Sequence, residues 1–121
     1  MKIYLGHSRE LDFETELYDP LRHSRLSREH KFVFPYEEKK EPVDSKEVIK
    51  SCDLLLAEVS FPSTGLGIEI GWANYIGIPI IAVYKKGARV SRSLKLVAKE
   101  MIEYSDSKEL VEKIQSRLKK V

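Results

Sequence analysis

The sequence predicts an α/β protein with three layers, in which helices cover both faces of one sheet of about five parallel strands. Two observations carry this prediction. Apolar runs of strand length alternate with helical patterns about five times along the 121 residues, which is typical of a parallel sheet. The runs at 53–59 and 78–84 have apolar centres, as expected for strands buried on both faces.

The strand order that we expect is 2-1-3-4-5, the flavodoxin-like order. It brings the carboxyl ends of strands 1, 3 and 4 around one crevice, where such sheets usually bind ligands. The five strands are predicted at 2–5, 31–34, 53–59, 78–84 and 101–104. The segment from 36 to 43 is charged and contains a proline, so it is predicted to be a loop.

The longer helices are predicted at 11–26, 66–75 and 91–100, and a last amphipathic helix begins within 105–109. Asp19 and Pro20 offer a cap and a first-turn proline, so the first helix is expected to kink or restart there. A short helix is expected to begin at Asp44 or Ser45, because the segment from Asp44 to Glu47 matches the capping box.

Composition describes an ordinary globular chain and predicts one domain over residues 1–121. Hydrophobic residues make up 42% and charged residues 33%, with a net charge of +2, so we expect no nucleic-acid or membrane partner. A single cysteine, Cys52, excludes an internal disulfide and a cysteine-based zinc cluster. The histidines His23 and His30 lack metal-ligand spacing, so neither a metal nor another cofactor is expected. No leader or membrane span is predicted, which favours the cytoplasm.

The stretch from 57 to 73 combines the end of an apolar strand, a turn and the start of a helix. Glu69 lies one turn into this helix and shares a row with Gly65, Trp72 and Ile76, so it does not lie on a plainly solvated face. It is either a glutamate stabilised near a helix N-terminus or, if it lies in a crevice, a nucleophile of the kind used in retaining glycoside cleavage.

The glycines at the start of this helix allow two interpretations. Gly65 and Gly67, with Ser63 and Thr64 before them, could bind an anion, since backbone N–H groups near glycine can approach a phosphate. Tight packing of the helix on the sheet would explain the glycines equally well. The pattern is neither a P-loop nor a dinucleotide fingerprint.

Two other segments are also ambiguous. Gly6 and His7 follow the first predicted strand, in a turn that can carry function, and His7 is either a ligand contact or a turn residue. The run from Ser91 to Ser93 opens a predicted helix, so it is either an N-cap or, with Arg92, a phosphate site.

The run from 53 to 73 resembles the signature of the nucleoside 2-deoxyribosyltransferase superfamily, especially its 2'-deoxynucleoside 5'-phosphate N-hydrolase branch. The similarity extends to residues 2–6 and 80–93. The resemblance implies a flavodoxin-like fold and cleavage of the N-glycosidic bond of a deoxynucleoside or its monophosphate, without a metal. It also implies a homodimer or higher homo-oligomer with shared active sites.

Site residues follow from the resemblance by position. Glu69 matches the glutamate that attacks the anomeric carbon, and Tyr4 matches the tyrosine that positions this carboxylate. Ser63 matches a serine that contacts the 5'-phosphate, and Ser93 one that contacts the same phosphate across the subunit interface. The acid that helps to protonate the leaving base falls on Ser45, with Asp44 beside it. A shift of one residue would give Asp44 this role, and otherwise Asp44 is only a helix cap.

The leading hypothesis is therefore cleavage or base exchange at the N-glycosidic bond of 2'-deoxynucleosides or their 5'-monophosphates, through a covalent glycosyl-glutamate at Glu69. Gly6, His7, Gly65 and Gly67 are further candidates for substrate contacts. The main alternative is a nucleotide-binding module that has kept the fold and lost the chemistry, because Ser45 stands where an acid is expected. A third hypothesis is a signalling or interaction domain without a small-molecule site.

Overall fold

A computed structural model describes residues 1–36 and 44–119. The described chain forms one five-stranded sheet in the order β2-β1-β3-β4-β5, and all four neighbouring pairs are parallel. The predicted fold class and strand order are confirmed. The strands are β1 (Lys2–His7), β2 (Lys31–Val33), β3 (Leu54–Glu58), β4 (Ile80–Lys85) and β5 (Glu100–Tyr104). Except for Tyr36, the loop predicted over 36–43 lies outside the described residues.

Five α-helices, one π-helical turn and one 3-10 helix occur in the described residues. They are α1 (Asp19–Arg22), α2 (Leu26–Glu29), α3 (Ser45–Lys50), α4 (Thr64–Ile76), α5 (Ser107–Leu118), the π-helical turn Glu14–Tyr18 and the 3-10 helix Arg92–Leu96. None of the helices in 1–36 or 44–119 is long and apolar enough to cross a membrane.

The helix predicted over 11–26, which was expected to kink or restart at Asp19 and Pro20, is divided into three helical segments. The π-helical turn runs directly into α1, and Pro20 lies in the first turn of α1, where a missing N–H is tolerated. Asp19 has helical dihedral angles, and its carboxylate accepts a hydrogen bond from Arg22 at 3.1 Å, so it does not cap the helix. A break between α1 and α2 falls at Ser24. Its hydroxyl donates to Leu21 O and accepts from Leu26 N, which takes backbone groups away from a continuous helix.

Two other predicted boundaries are wrong. The helix predicted over 91–100 is the 3-10 helix Arg92–Leu96, because Lys99 N donates to Ile80 O at 2.7 Å and the chain has already joined the sheet. Gly6 and His7 belong to β1 and pair with Ala57 and Glu58, so they are strand residues and not a turn.

Successive side chains of each strand point to opposite faces of the sheet, so the strands contribute to two apolar layers, one on each face. In β1, Ile3 and Leu5 face the layer formed with α1, α2 and α5, whereas Tyr4 faces the layer formed with α3 and α4. The buried face of α4 consists of Leu66, Ile70 and Ala73. The row containing Glu69 lies beside that face, which leaves Glu69 half-buried and directed toward β1.

Local caps fix the ends of the helices around the crevice. Ser63 Oγ accepts from Leu66 N at 3.4 Å and begins α4, and Gly77 ends it with a φ of 95°. Asp44 caps α3 by accepting from Lys46 N at 3.1 Å. The return bond from Glu47 that would complete a capping box is not among the hydrogen bonds of the described residues.

Candidate active site at the carboxyl edge of the sheet

The central pair of the candidate site is Tyr4 and Glu69. Tyr4 Oη donates a hydrogen bond to Glu69 Oε2 at 2.7 Å, joining the middle of β1 to the second turn of α4. Burial raises the pKa of Tyr4 well above its usual range, and the bond to Glu69 raises it further. Tyr4 is therefore a permanent donor at neutral pH, and it orients the carboxylate of Glu69.

Gly6 provides the space in which Glu69 and Leu66 approach β1. A Cβ atom at Gly6 would lie 3.0 Å from Leu66 Cδ1 and 3.9 Å from Glu69 Oε1. The first of these distances is too short for an ordinary van der Waals contact, so the side chain of Leu66 can pack against β1 here because residue 6 has no side chain.

Ser45, and not its neighbour Asp44, acts on this pair. The side chain of Ser45 lies close enough to the Tyr4 oxygen to lower the pKa of Tyr4, against the larger effects of burial and Glu69. Asp44 is exposed, and its carboxylate is engaged by Lys46 N in the cap of α3. Among the described residues, Asp44 is not one of the groups that act on Tyr4.

His7 lies inside an aromatic cluster and is only 3% exposed. Its Nδ1 lies 3.0 Å from Ser8 O, and its Nε2 lies 2.6 Å from Tyr18 Oη. Because a carbonyl can only accept, Nδ1 carries the proton and Nε2 accepts from Tyr18. The ring stacks on Phe13 at 4.6 Å, and burial lowers the pKa of His7. A substrate contact by His7 stays a prediction, and both ring nitrogens already have protein partners.

Ser63 and Ser93, the two serines predicted to contact phosphate, line one cleft of about 400 Å³. Arg89 and Ser91 line the same cleft, and Ser91 caps the 3-10 helix by accepting from Ser93 N at 3.3 Å. The rest of the wall is mainly apolar and includes Leu66, Ile70, Leu94 and Val97. Because it lies against Leu66, Gly67, Ile70 and Gly71 of α4, the cleft is on the other flank of this helix from Glu69.

Gly65 and Gly67 are not needed for packing on the sheet. A Cβ atom at either residue would meet no atom within 4 Å outside the adjoining helix backbone. The interpretation of these glycines as a tight helix–sheet contact is therefore wrong. Gly67 lines the cleft, and an anion contact at either glycine stays a prediction.

No role for Glu58, the last residue of β3, is predicted from the sequence. Its side chain is 1% exposed and accepts from Ser60 N at 2.7 Å, from Ser60 Oγ at 2.9 Å and from Tyr104 Oη. Burial raises the pKa of Tyr104, and Glu58 raises it further. A carboxylate that ends a continuous apolar run was the available signal, because a buried charge requires partners.

Two named proteins with related sequences share the same name. No protein-family model matches the chain. A relative from Syntrophotalea carbinolica is 55% identical over 40 residues, which are 33% of this chain and 28% of that protein. A relative from Thermofilum pendens is 36% identical over 76 residues, which are 59% of this chain and 53% of that protein. Both carry the provisional name 2'-deoxynucleoside 5'-phosphate N-hydrolase 1. The chain thus spans about half, or less, of the length of these relatives.

Solved structures extend the similarity to nearly the whole chain. A CMP N-glycosidase from Clostridium botulinum has a TM-score of 0.70 and 25% identity, covering 95% of this chain and 99% of that one. The resemblance to the nucleoside 2-deoxyribosyltransferase superfamily is thereby confirmed. This chain also shares the fold of a 2-deoxyribosyltransferase from Bacillus psychrosaccharolyticus. The TM-score is 0.64 and the identity 19%, covering 91% of this chain and 90% of that one.

Within the superfamily pattern, the two residues matched to the nucleophile and its positioning tyrosine form a direct hydrogen bond. Those matched to phosphate contacts, Ser63 and Ser93, share one cleft. At the position matched to the acid, this chain has Ser45, whose side chain lies near the Tyr4 oxygen. Asp44 caps α3.

Proposed function

We propose that this protein cleaves the N-glycosidic bond of 2'-deoxynucleosides or their 5'-monophosphates, by hydrolysis or by exchange of the base. The observation that carries the proposal is the hydrogen bond of 2.7 Å from Tyr4 to Glu69. It fixes a half-buried carboxylate at the carboxyl edge of a parallel sheet, where ligands of such folds bind. The names of the relatives support the same chemistry.

In the proposed reaction, a Glu69 oxygen attacks the anomeric carbon of the sugar while the bond to the base breaks. The base leaves with the bonding electron pair and takes up a proton, and an ester links the sugar to Glu69. Water then attacks the same carbon and releases Glu69 as a carboxylate. A second base in the place of water gives transfer instead of hydrolysis.

Tyr4 has a defined part in both steps. Its hydroxyl holds one oxygen of Glu69 and leaves the other oxygen to attack. When the ester forms, the carboxylate loses its charge and the bond from Tyr4 weakens, and it strengthens again as the carboxylate leaves. Its raised pKa keeps the hydroxyl protonated throughout.

A preference for monophosphates over nucleosides is the finer part of the proposal. Ser63, Ser93 and Arg89 line one cleft beside the N-terminal turns of α4. Hydroxyl groups and a guanidinium are good partners for a phosphate monoester, and the start of a 13-residue helix adds a favourable dipole. These contacts would give a phosphorylated substrate additional binding energy.

The proposal also includes a homo-oligomer in which Ser93 serves a partner's site. In its support, large apolar side chains are exposed near the cleft and on α4, with Leu96 86% and Tyr75 93% exposed. Mixing Glu69→Ala with Ser93→Ala chains tests this arrangement. With shared sites, the intact Glu69 of a Ser93→Ala chain meets the intact Ser93 of a Glu69→Ala partner, so hybrid oligomers should recover the wild-type KM for a monophosphate. A mixture that keeps the KM of Ser93→Ala alone would contradict the arrangement.

The direct test is to incubate the protein with the four deoxynucleosides and the four deoxynucleoside monophosphates and to follow the free base by chromatography. Glu69→Gln should abolish release, while Glu112→Gln, an exposed change on α5, should leave it unchanged. If none of the eight compounds releases a base or exchanges it, the catalytic proposal is wrong. Thermal shifts with the same compounds would then detect a protein that binds without turnover.

A further inference from the structure

The buried carboxylate of Glu58 connects three strand ends at the edge of the sheet that carries the site. Glu58 is the last residue of β3, and Tyr104, which donates to it, is the last residue of β5. Ser60 donates to Glu58 through its amide and its hydroxyl, and Ser60 Oγ also accepts from Lys85 N at 2.8 Å, at the end of β4. Glu58 thus links the first residues after β3 directly to the end of β5 and, through Ser60, to the end of β4.

The segment fixed in this way leads directly to the cleft. Val59, Phe61, Pro62 and Ser63 all line it, and Ser63 also caps α4. Ser63 is the fifth residue after Glu58, and Ser60 between them is held twice by the carboxylate. The position of the Ser63 hydroxyl therefore depends on a group that does not reach the cleft itself.

We propose that Glu58 is a positioning residue for phosphate binding, which acts by holding the turn over 59–63 so that the Ser63 hydroxyl faces the cleft at the start of α4. This inference rests on the proposed function, since it assigns a determinant of the preference for monophosphates. Glu69 is held separately by Tyr4, so the chemical step should not depend on Glu58.

The choice of variants follows from the hydrogen bonds. Glu58→Leu keeps a similar volume but leaves the buried Ser60 amide and the Tyr104 hydroxyl without their acceptor, which is costly. In Glu58→Gln, the amide oxygen can still accept from Ser60 N, and the amide N–H can donate to Tyr104 Oη after the phenol rotates. Glu58→Gln should therefore keep most of the hydrogen bonds that Glu58→Leu removes.

The test compares KM and kcat for a deoxynucleoside monophosphate and for the same unphosphorylated nucleoside. Glu58→Leu should raise KM for the monophosphate about tenfold, while its kcat and both constants for the nucleoside stay within about twofold. Glu58→Gln should stay within about threefold of the wild type for the monophosphate. Glu103→Leu, an exposed change on β5, is the matched control and should have no effect.

Ser63→Ala completes a double-mutant cycle. If Glu58 acts through Ser63, adding Glu58→Leu to Ser63→Ala should raise KM for the monophosphate by much less than tenfold, because the two changes remove the same contact. Fully multiplied effects would overturn the inference. So would a fall in kcat/KM that is equal for the monophosphate and the nucleoside, since this would indicate a general loss of structure.

Amide hydrogen exchange gives a readout that does not need catalysis. Glu58→Leu should speed exchange at Ser60, whose amide donates to Glu58, and at Leu66, whose amide donates to Ser63. Unchanged exchange at both amides would overturn the inference. If the leucine variant does not fold, Ser60→Ala and Tyr104→Phe each remove one donor to Glu58 and carry the same measurements. If the wild type treats both substrates alike, the proposed phosphate preference is wrong and the positioning role is overturned with it.

Discussion

Tyr4 and Glu69 are separated by 65 residues along the chain and joined by one hydrogen bond of 2.7 Å. The bond spans the contact between strand β1 and helix α4, and it holds one oxygen of the Glu69 carboxylate. Orientation of the carboxylate of Glu69 therefore depends on the Tyr4 hydroxyl. Its loss should affect catalysis far more than folding.

Tyr4→Phe should lower kcat by roughly ten- to a hundredfold, since a hydrogen bond to a charged group contributes about 1.5–3 kcal/mol. KM should change little, because the phenol contacts Glu69 and not the outer part of the substrate. Release of base from a deoxynucleoside monophosphate measures both constants. Tyr75→Phe, at a residue that is 93% exposed, is the control. A kcat unchanged in Tyr4→Phe would contradict the role of this bond.

Gly6→Ala should reduce both stability and kcat. The new Cβ atom would lie 3.0 Å from Leu66 Cδ1 and 3.9 Å from Glu69 Oε1, so the Leu66 side chain must give way by a few tenths of an ångström and a methyl group occupies the space beside the Glu69 carboxylate. Chemical denaturation should give a loss of about 1–2 kcal/mol, in the range of overpacked sites. Gly71→Ala is the control, because it makes the same substitution at a residue whose new Cβ atom would have no neighbour within 4 Å. It should gain up to about 1 kcal/mol from helix propensity, and an equal loss in both variants would refute the steric explanation.

Local patterns predicted those features that depend on neighbouring residues. The helix predicted over 66–75 is α4, which begins at Thr64 because Ser63 caps it and ends at Ile76, before the left-handed Gly77. The strand order followed from the alternation of strands and helices, because parallel strands need crossover connections and these have one hand. The row through Glu69 indicated a residue at the margin of the buried face, which is where the structure has it.

Features that depend on distant contacts were missed for a physical reason. His7 looked like a turn residue because its enclosing rings, Phe13 and Tyr18, belong to the next segment of the chain. The predicted helix over 91–100 is short because Ile80 binds the amide of Lys99. Glu58 could be noticed as an acid, but its donor Tyr104 lies 46 residues away. Only the folded sheet brings such partners together.

Asp44 and Ser45 should respond to mutation in different ways. Asp44→Ala removes the cap of α3 and should cost about 1 kcal/mol of stability, with kcat nearly unchanged. Ser45→Asp introduces a carboxylic acid beside the Tyr4 oxygen, where it can donate a proton to a leaving base. Its kcat should rise, most strongly for bases that leave poorly, and its pH profile should gain a new fall on the alkaline side. A large loss of kcat in Asp44→Ala would instead make Asp44 the acid.

The stability of the fold should decrease as the pH falls below about 6.5, in part because of His7. Burial lowers the pKa of His7 from its ordinary value of 6.5, so the folded state favours the neutral ring and binds fewer protons than the unfolded chain. The contribution of His7 is then fully present above pH 6.5 and is lost as the pH falls toward the folded pKa. The pKa of His30 is also lowered by burial, so both residues contribute to the slope.

Thermal unfolding of the wild type, His7→Gln and His30→Gln between pH 7.5 and 5 separates the contributions of the two histidines. His7→Gln should be less stable at pH 7.5, since it disturbs the stack with Phe13, and should lose less stability on acidification. The matched variant His23→Gln, an exposed change, should keep the wild-type slope, and an unaltered slope in His7→Gln would refute the assignment.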